Sequence, residues 1–130
     1  GWLRGAALEE AFSEADVFVL PSWAEGLPNA MIEAMAARLA VVVSNVGNIP
    51  DVVTNEREVL LVPPRNIPAL RHTLERVIDT PTLRCQLGDA AFLLAEQRFN
   101  VEQVVDHILL AVNETIERFG SDRSKQKMVS

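Results

Sequence analysis

Residues 15–45 read ADVFVLPSWAEGLPNAMIEAMAARLAVVVSN, and their order decides the fold. Val17–Leu20 is a short apolar run rich in Val and Phe, closed by Pro21 and Ser22. Such a run suits a strand covered on both faces. Glu25-Gly26-Leu27-Pro28 reads as a tight loop, and Pro28 suits the first turn of a helix, where its missing N–H costs nothing. Good helix formers carry that helix from about residue 28 to residue 37. Residues 40–43 then form a second buried strand. Strand, loop, helix and strand in this order predict a parallel βαβ unit and an α/β fold.

The chemistry is expected at the turn. In open α/β sheets, ligands bind beyond the carboxyl ends of the strands, beside helix N-termini. The free N–H groups of Asn29 and Ala30 point into that crevice, and with the helix dipole they favour phosphate. Glu25 lies in the loop. Glu33 follows on the helix about two turns below it, on roughly the same side. A phosphate site flanked by two carboxylates suits a nucleotide sugar: the anion meets N–H groups and the hydroxyls meet carboxylates. Against this stands a plain reading, since loop and helix glutamates are usually only solvated.

The framing residues tip that balance. ADVFVLPSWAEGLPNAMIEAMA resembles the E-x7-E signature of family 4 glycosyltransferases, retaining enzymes of the two-domain GT-B fold (glycosyl transferases group 1). The similarity continues through VVVSNVGNIPDVV, LLVPP, ALRHTLERVI and RF, to about residue 119. It implies a partial Rossmann-like fold: a GT-B C-terminal half-domain with a three-stranded parallel sheet and helices, then C-terminal helices. It also implies that Glu25 contacts the donor sugar near the reacting centre and that Glu33 binds the ribose hydroxyls. Gly26, Leu27, Pro28, Asn29 and Ala30 would form the donor loop, with the backbone of 27–30 on the diphosphate. Neither a metal nor a cofactor is implied beyond the nucleoside-diphosphate sugar itself.

The sequence also departs from the family pattern. Arg38 stands where a Gly usually ends the motif helix, Ala40 replaces a usual Pro and Val59 replaces a usual Gly. The basic pair that meets the donor diphosphate in the family has no match here, and neither has the acceptor-binding N-terminal domain. Strand 17–20 is therefore expected to be a sheet edge, and an apolar edge invites self-association. Other readings stay open. One is a non-catalytic module that binds a nucleotide or a partner protein. Weaker ones are a sugar-nucleotide epimerase, which needs catalytic groups outside this chain, and a generic flavodoxin-like binding domain.

Composition narrows the classes. The 130 residues are 48% hydrophobic, enough for one domain with a real core. A net charge of −6 argues against sequence-independent nucleic-acid binding, which needs a basic footprint. No apolar run is long enough to span a bilayer, and Trp2-Leu3-Arg4 leads into a polar, acidic helix rather than a signal peptide. Membrane contact of a longer parent stays open. The single Cys85 allows no intrachain disulfide and reads as a buried or idle thiol; a cytoplasmic setting fits.

Elsewhere the pattern predicts helix, turn and strand by turns. A short helix spans residues 6–14, and Asp16 makes a turn before the first strand. Trp23, beside the Glu25 loop, suits either ligand stacking or packing. Gly47 supplies a positive φ, and Asn48 caps a short helix over 49–53 with Asp51 near its start. A polar turn over 55–58 precedes the third strand, 59–62. Helices follow over 67–78, with Pro68 in its first turn, and from Pro81 to Gln97 with a break near Gly88. Asn100 caps a last helix with an apolar stripe from Val101 to Phe119. His72 and His107 read as structural or solvated. Residues 1–119 make one domain and 120–130 a polar tail.

Overall fold

The computed structural model describes residues 3–99. In chain order they form α1 (Ala6–Glu14), β1 (Val17–Leu20), α2 (Asn29–Ala36), β2 (Ala40–Ser44) and α3 (Ile49–Val52). Then come β3 (Val59–Val62), α4 (Ile67–Asp79) and α5 (Pro81–Arg98). The helix expected over 101–119, His107 and the polar tail lie outside the described residues.

The three strands form one parallel sheet in the order β1-β2-β3. Val17 is paired with Ala40, and Val41 with Val59. Side chains alternate between the two faces of a strand, so each face gathers its own core. Val41, Val43 and Val59 pack with Met31 and Met35 of α2 and with Ala91 and Ala95 of α5. Ala40, Val42, Leu60 and Val62 pack on the opposite face with Val77 and Leu87. β2 is buried along its whole length, as an apolar central strand must be.

β1 departs from the expectation of full cover. It pairs with β2 alone, and Val19 is 36% exposed. The run of apolar residues fits a doubly covered strand, but no run can say how many neighbours the sheet provides. As expected, β1 is an edge among the described residues.

Several local readings change at the level of single bonds. Pro28 is not inside α2 but caps it, with extended backbone (φ −73°, ψ 126°). The ring fixes φ and leaves ψ free, so proline suits either position. Asn48 holds the cap position of α3 without a side-chain cap bond; its N–H donates to the Gly26 carbonyl at 3.3 Å. Glu58 lies in the expected polar turn but is not solvated. It is buried, and its Oε2 accepts from the Thr54 N–H at 2.8 Å. Asn66, not singled out in the sequence, caps α4 by accepting from the Ala69 N–H.

α5 is continuous through Gly88. A Cβ on Gly88 would stand 2.2 Å from the Arg38 carbonyl oxygen, so this glycine lets α5 approach the end of α2 rather than breaking the helix. Arg38 itself takes the left-handed conformation (φ 59°) that the family's usual glycine fits. That costs on the order of 1 kcal/mol. The guanidinium offsets part of the cost: it pairs with Asp89 at 2.8 Å and lies 4.0 Å over the Phe92 ring.

Candidate functional site

The carboxyl ends of the strands collect the candidate groups. β1 runs out into Pro21 and Ser22, β2 ends at Ser44, and β3 ends before Pro63. From β1 the chain turns through Glu25 and Gly26 into α2. The first hydrogen bond of that helix runs from the Met31 N–H to the Pro28 carbonyl, 3.1 Å. The N–H groups of Asn29 and Ala30 precede it and have no place in the helical ladder. Both residues are exposed, and neither N–H donates a hydrogen bond to another described residue. Leu27 is half-buried and packs on the core, anchoring the loop from below. Gly26 has no atom within 4 Å of a Cβ position, so the space beside its backbone is open.

Glu25 is held from two directions. The Ser22 hydroxyl donates to its Oε1 at 2.6 Å. Behind the loop, Gly47 has φ +56°, and a Cβ there would stand 1.7 Å from the Glu25 carbonyl oxygen. Only glycine fits both the conformation and the contact. The Asn48–Gly26 backbone bond closes the same brace. Ser22 was not singled out in the sequence, although a Ser three residues before a Glu in a Pro-bounded loop is the spacing of a local side-chain bond.

Glu33 is half-buried on α2, and burial pushes its carboxyl above the ordinary 4.5. It lines an open cavity of about 600 Å³ between α1, the end of α2 and the start of α5, with Leu8, Phe12, Arg38 and Cys85. Neither Glu25 nor residues 26–30 line that cavity. Cys85 is exposed there, not buried.

Trp23 does not join the core: it is 70% exposed, and the Arg65 guanidinium lies 4.6 Å from its ring centroid. The two residues border a crevice of about 190 Å³ with Pro21, Ser44 and Val62, also at the carboxyl edge of the sheet. Among the described residues, no three His, Cys, Asp or Glu side chains cluster as metal ligands. No helix there is long and apolar enough to cross a membrane.

A parallel sheet flanked by helices in this order defines a Rossmann-like α/β unit. The chain belongs to the glycosyl transferases group 1 family, whose model matches residues 1–80. It is 30% identical over 117 residues to the MMP alpha-(1->4)-mannosyltransferase of Mycolicibacterium hassiacum, covering 89% of this chain and 28% of that protein. Among solved structures, sucrose-phosphate synthase from Thermosynechococcus elongatus superposes with a TM-score of 0.69 at 31% identity, over 88% of this chain and 28% of that one. Anabaena HepE, solved in complex with UDP, superposes at 0.70 with 20% identity, over 85% of this chain and 30% of that one. These neighbours establish the GT-B-type fold. The chain spans between 11% and 28% of the length of the curated relatives it matches.

Proposed function

We propose that this chain supplies part of the donor site of a glycosyltransferase that moves a sugar from a nucleoside-diphosphate donor to an acceptor with retained configuration. The observation that carries this reading is the start of α2, where the N–H groups of the exposed residues Asn29 and Ala30 precede the first helical hydrogen bond, a few residues beyond Glu25 at the carboxyl edge of the sheet. These donors would take the diphosphate and stabilise charge as it leaves. Glu25 would hold a sugar hydroxyl and support positive charge at the anomeric carbon. By the family resemblance Glu33 would take the ribose hydroxyls, although the cavity it lines is not one that Glu25 or residues 26–30 line. No residue of the chain is assigned as a covalent nucleophile, and no metal is needed.

HepE has been solved with UDP and with UDP-glucose, which supports a nucleotide-sugar ligand for this fold. The chain covers a minor share of its relatives, so turnover would require the second GT-B domain and a source of positive charge for the diphosphate. The unpaired Cys85 fits a cytoplasmic setting. In the full-length protein, Glu33→Ala should weaken nucleoside-diphosphate binding and Glu25→Ala should mainly lower turnover. Unchanged binding and kinetics in both variants would remove the assignment.

A second reading is a non-catalytic module that binds a nucleotide or a partner protein. Arg38 in a left-handed position that suits glycine favours it, since it marks drift from the family pattern at the end of the motif helix. Titration with nucleoside diphosphates separates the two nucleotide-dependent readings from a partner-binding one, which requires no nucleotide affinity.

A further inference from the structure

We infer that Ser22 is a positioning residue for the donor sugar: its hydroxyl fixes the Glu25 carboxylate so that Oε2 is the oxygen offered to a sugar hydroxyl. The inference rests on the donor-site reading of Glu25.

A glutamate in a loop has three side-chain torsions to order, and a free one loses that entropy when it grips a ligand. Here the ordering is built in before any ligand arrives. Ser22 donates to Oε1 at 2.6 Å, a short, charge-assisted bond of the stronger kind. The backbone at Glu25 is braced as well. Gly47 packs against its carbonyl, and the Asn48 N–H holds the carbonyl of Gly26. The Ser22 bond therefore acts on a side chain whose base is already fixed. No protein donor meets Oε2 among the described residues. One oxygen is committed to the protein and the other is left for a donor from outside.

This arrangement has a chemical consequence. An ionised carboxylate only accepts hydrogen bonds, so the free Oε2 selects ligands that present a hydroxyl donor to it. A nucleoside diphosphate without its sugar makes no use of that oxygen. Removing the Ser22 hydroxyl should thus affect the nucleotide sugar and spare the nucleotide.

The test is calorimetric titration of the full-length protein with UDP and UDP-glucose, and with the corresponding pairs of other bases should UDP not bind. Ser22→Ala should weaken nucleotide-sugar binding by roughly two- to tenfold, the loss expected when one rotamer-rich side chain must be ordered on binding. Binding of the nucleotide alone should stay unchanged, which also reports that the variant is folded. Ser22→Thr, which keeps the hydroxyl, should restore most of the difference, and Glu25→Ala should lose it. Wild-type discrimination in Ser22→Ala, alongside its loss in Glu25→Ala, would overturn this inference alone. Failure of the wild-type protein to bind any such ligand, or full discrimination in Glu25→Ala, would overturn the donor-site reading and this inference with it.

Discussion

Gly47 and the carbonyl of Glu25 are in contact so close that a methyl group on Gly47 would stand 1.7 Å from the oxygen. The loop after β2 thereby sets the position of the loop after β1. Gly47→Ala combines that overlap with a left-handed φ of +56°. The overlapping atom belongs to backbone, which cannot swing aside as a side chain does. The variant should lose on the order of 2–4 kcal/mol of stability. Urea denaturation would show it, and a loss below about 0.5 kcal/mol would mean the loop yields freely.

Gly88→Ala sets two effects against each other. Alanine favours a helix interior over glycine by roughly 1 kcal/mol. A Cβ at 2.2 Å from the Arg38 carbonyl oxygen would force α5 away from the end of α2. Overpacking of this kind costs about 1–3 kcal/mol, so the variant should be less stable despite its better propensity. A rise in melting temperature would show that the approach of α5 to α2 is loose.

Glu33→Gln should change how stability depends on pH. Burial raises the folded-state pKa of Glu33 above 4.5, so the folded chain holds that proton more tightly than the unfolded chain. Stability then falls as pH rises from 4.5 through the raised folded value, and the penalty is fully present above it. The glutamine variant lacks this penalty. It should gain on the wild type at neutral pH, with the gap closing as pH falls below 4.5. Glu56, lowered by its hydrogen bonds to Arg76, acts in the opposite direction but is common to both proteins and cancels in the difference. Urea midpoints across a pH series would check the sign. A wild type that gains on the variant as pH rises through this window would contradict it.

Among the described residues, the outer edge of β1 has no partner strand, beside the exposed Val19. This chain, expressed alone, should self-associate at micromolar concentration through that edge. Val19→Lys should return it to the monomer, because a lysine there blocks strand addition. Sedimentation would decide, and a monomeric wild type would dismiss the edge as a pairing site.

How much of this was legible differs from residue to residue. The runs Val17–Leu20, Ala40–Val43 and Val59–Val62 announced parallel strands, because buried strands need unbroken apolar residues. Gly47 could be read as a left-handed position because it sits in a loop among small and polar residues. Gly88 could not. In sequence a helical glycine looks like a break, and only the approach of another backbone shows that it serves close packing. Glu58 misled for a similar reason. Its neighbours 55–57 are polar and exposed, while its own carboxylate is turned inward to a backbone N–H that the sequence cannot show.

For the candidate site, the sequence by itself determined the loop, the helix that opens near residue 28 and the two acids, because these depend on local turn and helix chemistry and on a motif of fixed spacing. Only the tertiary structure decided what stands around them. It braced Glu25 with Gly47 from another βα turn, gave its Oε1 to Ser22, and placed Glu33 in a cavity walled by α1 and α5. The brace and the cavity join residues distant in the chain, and such contacts arise from how the sheet and helices pack rather than from any local preference.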